Sequence, residues 1–119
     1  MKKIFLLAIF LFLLTGCSLN DIESELKNEN DFSLSGDRGY ADKYNVAYYI
    51  EGEVKNLTNK EYSYVQIEFN TYDNDGNVIG SCLDNINNFD ANGTWKIKAI
   101  CSGEPSQIKS YKLKGFSAW

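Results

Sequence analysis

A chain of 119 residues with 16 acidic and 12 basic side chains, no histidine and three cysteines has room for one small domain. Its net charge of −4 gives nucleic acid no bulk attraction. Without histidine the chain also lacks the commonest general base and the commonest metal ligand, so no catalytic residue, metal or cofactor is expected.

The first element is a targeting segment. Lys2 and Lys3 precede the apolar run IFLLAIFLFLL of residues 4–14, which gives way to the small residues Thr15 and Gly16. Eleven apolar residues rising ~1.5 Å each cover roughly half of a ~30 Å hydrocarbon core, too little for an unaided transmembrane helix. The run ends in Leu14-Thr15-Gly16-Cys17, which resembles the lipobox of bacterial lipoprotein signals. That resemblance implies cleavage before Cys17, removal of residues 1–16, and a diacylglycerol on the Cys17 sulfur. The membrane would then be a partner through lipid, and two or three acyl chains hold a protein stably where one does not. The expected address is the extracytoplasmic face of the cell membrane, or the outer membrane if the source has two membranes.

Residues 17–43 read as a lipidated N-terminus and acidic linker. Positions 18–42 hold seven acids against two bases, are poor in aromatics and are dotted with Asn, Ser and Gly, the composition of a flexible stalk. Leu19, Ile22 and Leu26 recur at helical spacing, so a short helix competes with that stalk.

Residues 44–119 change to a strand rhythm. Tyr48, Ile50, Gly52 and Val54 alternate with Tyr49, Glu51, Glu53 and Lys55, giving one apolar and one charged face before the turn at Asn56-Leu57-Thr58-Asn59-Lys60. A second strand, Tyr64 to Tyr72, turns inward Val65, Ile67, Phe69 and Thr71 and ends at Asp73-Asn74-Asp75-Gly76-Asn77, a hairpin signal. A third covers Val78 to about Leu83, with residues 85–88 irregular before the turn Asp90-Ala91-Asn92-Gly93. The fourth, Thr94 to Cys101, turns inward Trp95, Ile97 and Ala99. Pro105, the only proline, separates it from a last strand, Gln107 to about Phe116. Short strands with turns at intervals of roughly ten residues predict an all-β fold, a small antiparallel Ig-like β-sandwich.

Outside the cell Cys82 and Cys101 would meet oxidising conditions, so a disulfide is the first expectation, with free thiols the alternative. Opposing 82 to 101 in a hairpin centres its turn between Ala91 and Asn92, where the turn signal independently lies; a bridge between sheets competes for the same pair.

Gly52-Glu53-Val54-Lys55-Asn56, Phe69-Asn70-Thr71-Tyr72-Asp73, Asp75-Gly76-Asn77-Val78-Ile79-Gly80 and Asn92-Gly93-Thr94 appear in that order. The series resembles the FxLYD domain, a small β-sandwich module of bacterial surface proteins and lipoproteins, over about Tyr48 to Trp119. The resemblance implies a fold and no enzymatic activity. Gly52, Val54, Asn56, Phe69, Tyr72, Asp73 and Gly76 match its pattern; Thr71 replaces a leucine and Asn92 a common proline. Asp73 and Asp75 tempt toward a calcium loop, but its first and last ligand positions would be Thr71 and Cys82, so a turn explains them better.

Eight tyrosines remain. Tyr48, Tyr49, Tyr62, Tyr64 and Tyr72 are candidate binding aromatics, against the bland reading that tyrosine suits half-buried strands. The function expected is a non-catalytic interaction module for an envelope protein or cell-wall glycan, with a structural spacer as the alternative.

Overall fold

The computed structural model describes residues 30–119. Leu14, Thr15, Gly16 and Cys17, and the helical spacing from Leu19 to Leu26, lie outside the described residues. Six strands follow in chain order: β1 (Phe32–Ala41), β2 (Tyr48–Asn56), β3 (Tyr62–Tyr72), β4 (Val78–Phe89), β5 (Thr94–Cys101) and β6 (Ser110–Ala118). A short 3-10 turn, Pro105–Gln107, precedes β6.

The strands pair antiparallel in the order β1-β2-β5-β4-β3-β6. This single ladder curls on itself, because β4 and β5 pair only at Cys82 with Cys101 and at Leu83 with Ile100. On one side of that junction lie β1, β2 and β5, and on the other β4, β3 and β6, so the sheet closes into the expected β-sandwich. Where β4 leaves β5, the Asp84 carboxylate accepts the Lys98 backbone N–H at 2.7 Å, occupying a donor the departing strand has vacated.

Alternation builds the core. Ile50 and Val54 of β2 and Trp95, Ile97 and Ala99 of β5 face Val65, Ile67 and Phe69 of β3 and Phe89 of β4, all buried. Phe32 closes one end of the sandwich, its ring 5.3 Å from Tyr62, 6.0 Å from Phe89 and 5.1 Å from Phe116. Cys82 and Cys101 are buried and disulfide-bonded, with Cα atoms 3.9 Å apart. The two geometries weighed for this pair merge, since the bridge joins hairpin neighbours at the place where the two halves of the sandwich meet.

Three expectations are corrected. The linker was expected to run to residue 43, but residues 32–41 form β1 on the edge beside β2. Its two-residue rhythm is interrupted at Gly36-Asp37, where the register shifts between Ser35 and Arg38, and that bulge hides Phe32 and Leu34 as strand positions. Residues 85–88, expected to be irregular, belong to β4, where Asn85, Ile86 and Asn87 pair with Gln66, Val65 and Tyr64. Pairing along β3 overrides the poor strand propensity of asparagine. The last strand starts at Ser110, not Gln107, because the 3-10 turn opened by Pro105 takes Gln107, is capped by Ile108 and buries Pro105.

Both departures from the family pattern have a physical reading. Asn92 sits at φ 59°, a left-handed conformation that asparagine tolerates and proline, fixed near −65°, does not reach. Thr71 is fully buried, and its Oγ1 is, among the described residues, a buried side-chain oxygen with no hydrogen-bond partner. Thr71→Val keeps the branched shape and removes the orphan hydroxyl; urea unfolding is expected to show a gain of about 1 kcal/mol. Replacing Cys82 and Cys101 together by alanine is expected to lower stability by about 3 kcal/mol in the same measurement, as for a loop of this length. Reductant should reproduce that loss in the native protein and leave the double variant unchanged.

Candidate functional site

The outward face of β1, β2 and β5 carries the most organised exposed side chains. Inward Ile50 and Val54 force Tyr49, Glu51 and Glu53 outward, and the register aligns their neighbours in rows across the strands. Tyr40 pairs with Tyr49, Tyr49 with Ile100, and Ile100 with Leu83, so four strands contribute to one apolar row. Ile100 is 56% and Leu83 44% exposed. Beside it runs a charged row in which Arg38 pairs with Glu51 and Glu51 with Lys98.

The two rows are bound to each other. The Tyr40 and Tyr49 ring centres lie 5.9 Å apart, with the Arg38 guanidinium 4.7 Å above Tyr40 and the Lys98 ammonium 4.6 Å above Tyr49. Arg38 is 3.4 Å from Glu51, and the Tyr40 hydroxyl donates to the same carboxylate at 2.7 Å. That hydrogen bond to an anion, helped by desolvation, raises the Tyr40 pKa above the ordinary phenol value. The β1 bulge leaves a shallow groove of about 570 Å³ against this face, lined by Ser35, Gly36, Arg38, Glu53, Lys96 and Lys98 among others. Such a surface offers apolar contact, aromatic edges and paired charges.

The five tyrosines singled out by sequence do not gather. Tyr62 is buried, its hydroxyl donating to Asp31 at 2.9 Å. Tyr48 lies over Gly39, its pKa raised by burial. Tyr64 packs against Trp119 and Tyr72 lies beneath Lys112, while Tyr49 alone of the five joins the row. Tyr40 was missed because it falls in the stretch expected to be a linker. Its signal was there: Arg38 and Tyr40 alternate across Gly39, the pattern of a strand face.

The family-motif residues serve the fold. Val54 and Phe69 are core, Phe69 meeting Tyr111 edge-on at 5.7 Å. At Gly52 an added Cβ would lie 3.0 Å from the Asp37 Cβ and 3.2 Å from Leu34, so the β1 bulge needs glycine beneath it. Asn56 is fully buried and fully bonded: its Nδ2 donates to the carbonyls of Lys60 and Asp90, and its Oδ1 accepts from the N–H and hydroxyl of Thr58. It thereby ties the β2–β3 loop to the β4–β5 turn. Asp73 holds the β3–β4 hairpin, its carboxylate accepting from the N–H of Asp75 and from both the N–H and the amide of Asn77. Those bonds, chiefly to Asn77, lower its pKa, and Gly76 completes the turn at φ 85°. The turn contacts account for Asp73 without a cation, and no metal-binding group occurs among the described residues.

Residues 1–18 match a family model described as the prokaryotic membrane lipoprotein lipid attachment site. The protein is thus a membrane-anchored lipoprotein. No curated protein matches the sequence. Among solved structures, IrmA from Escherichia coli aligns at 13% identity with a TM-score of 0.51, over 74% of this chain and 76% of that one. A DUF1425 family member from Shewanella sp. pv-4 aligns at 13% identity with a TM-score of 0.50, over the same shares. A β-glucuronidase of glycoside hydrolase family 2 aligns at 19% identity with a TM-score of 0.46, over 56% of this chain, which spans only 7% of that enzyme. The first two likenesses establish the β-sandwich fold and nothing of its chemistry.

Because buried Asn56 bonds two backbone carbonyls and both groups of Thr58, Asn56→Ala is expected to cost about 2–4 kcal/mol in urea unfolding. Asn56→Asp, which keeps the acceptor but loses both donated bonds, should fail to restore it.

Proposed function

We propose that Cys17 carries the lipid, that the protein stands on the extracytoplasmic face of the membrane, and that its folded part is a non-catalytic interaction module for an envelope protein or cell-wall glycan. On this reading residues 1–16 are the signal peptide, and the stretch from Cys17 to the start of β1 is the tether. The family-model match across residues 1–18 supports the anchor, since those residues include Cys17.

The observation that carries the interaction reading is the row Tyr40–Tyr49–Ile100–Leu83. An outward sheet face ordinarily offers charge to water, and here two large aliphatic side chains stand exposed beside two half-buried aromatics. A spacer role is the second reading. It is favoured by the cations already seated on both tyrosine rings, which occupy ring faces that a sugar would use for stacking.

Crosslinking on intact cells tests both. The wild-type chain is expected to give a discrete crosslinked product, and Tyr49→Ala with Ile100→Glu to reduce it by about tenfold, the loss typical of a residue at the centre of an interface. Equal yield from the variant, or no product at all, would remove the interaction reading and leave the spacer. Cys17→Ala is expected to release the chain from the membrane fraction and to abolish acylation by intact mass.

A further inference from the structure

The antiparallel topology brings one set of strand ends together. Phe32 opposes Asn56, Lys55 opposes Thr94, Tyr62 opposes Phe89 and Val65 opposes Ala118. The start of β1, the β2–β3 loop, the β4–β5 turn and the end of β6 therefore share one end of the sandwich. Asp31, the residue through which the chain enters the fold, is held there by two contacts: its carbonyl accepts the Leu57 N–H at 2.8 Å, and its carboxylate accepts the Tyr62 hydroxyl.

Two large apolar side chains stand in water at this end, Leu57 at 51% and Trp119 at 66% exposure. Trp119 is not loose. Its carbonyl accepts the Ser63 N–H at 2.8 Å, its N–H donates to the Tyr64 carbonyl at 3.0 Å, and its ring packs 5.2 Å from the Tyr64 ring. A fixed, exposed tryptophan with a tyrosine beside it is the side-chain pair that favours a membrane–water interface. The charged groups at this end of the sandwich, Asp31, Lys55, Lys60, Glu61 and Asp90, carry no positive excess, so attraction to anionic headgroups is not the driving force.

The length of chain before Asp31 identifies the occupant. From Cys17 to Asp31 there are 14 residue steps, which in any arrangement reach no further than about 50 Å. With β1 taking residues 32–41, the covalent link to the lipid is far shorter than the 17–43 linker expected from composition. A surface held this close to a bilayer experiences it at high effective concentration, so that even two modest anchors suffice.

We propose that this end of the sandwich docks on the bilayer that holds the lipid, with Trp119 and Leu57 seated in the headgroup–acyl boundary. The proposal rests on the reading that Cys17 is acylated. The opposite end, which exposes Tyr44, Val46 and Val78, then points away from the membrane. The row Tyr40–Tyr49–Ile100–Leu83 stands on the flank, open to a partner.

The chain carries its own reporter, because Trp95 is buried and Trp119 is exposed. The protein, expressed in bacterial cells and purified from their membrane fraction, is reconstituted into phosphatidylethanolamine–phosphatidylglycerol vesicles whose acyl chains are brominated near the headgroup. Emission is expected to fall relative to unbrominated vesicles, as for an indole at the interface. Trp119→Phe should abolish the quenching, and Leu57→Asp should at least roughly halve it, the charge being unfavourable in the boundary region. Leu57 lies on an exposed loop, and an unchanged Trp95 emission maximum in the Trp119→Phe background confirms that the fold survives Leu57→Asp. Protein that floats with the vesicles yet shows no quenching would overturn the docking while leaving the lipid in place. Quenching indifferent to Leu57→Asp would overturn the docking surface drawn here. Failure to float would overturn the acylation of Cys17, and the docking with it.

Discussion

Two residue pairs join the halves of this sandwich in one ladder: Cys82 with Cys101, and Leu83 with Ile100. All other strand pairing is local to one side, with β1 and β2 built on β5, and β3 and β6 on β4. A junction so short has little pairing free energy of its own, and a covalent bridge there does what a longer ladder would do elsewhere. In so small a domain, whose core is limited by its surface, a bridge of that strength is a large share of the total stability. The same two pairs also fix the candidate surface. With the cysteines inward, Leu83 and Ile100 have only the outward face left to occupy.

A second constraint works at the end where the chain enters. Asn56 is a buried amide whose donors and acceptor are all matched, and it gathers a loop and a turn that no strand pairing connects. Asn92 N–H to the Thr58 carbonyl and Asn56 N–H to the Gly93 carbonyl complete the closure. A network of this kind tolerates little change at Asn56, since that one buried amide supplies the partner of every other member. Of the motif residues, Asn56 closes this end of the sandwich, while Asp73 and Gly76 shape the β3–β4 turn at the other.

Much of this was legible in the sequence, for identifiable reasons. β5 alternates strictly from Thr94 to Cys101, and its predicted bounds coincide with those found, because one face is core and the other water along its whole length. The cysteine pairing was legible because the turn at Asp90–Gly93 fixes which residues oppose each other. β1 was not, since the Gly36-Asp37 bulge breaks the two-residue period and an edge strand need bury only a few of its side chains. The candidate surface was half visible for the same reason. Tyr49 could be placed outward from its own strand, but its neighbour Tyr40 belongs to the strand that composition concealed. The scatter of the other tyrosines was beyond reach, because whether an outward tyrosine joins a patch depends on which strands become neighbours.

The placement of β1 has a mechanical consequence. Phe32 is both the first residue of β1 and a core aromatic wedged among Tyr62, Phe89 and Phe116. Tension between a lipid in the membrane and a partner on the sheet face would enter the domain here, along the strand axis. Pulled in that direction, the eight residue pairs that bind β1 to β2 are loaded together in shear, and none can open before the rest. A pull at right angles to the strands would instead peel one pair at a time. The order of the first two strands thus makes the domain resist force from its own anchor in its stronger direction.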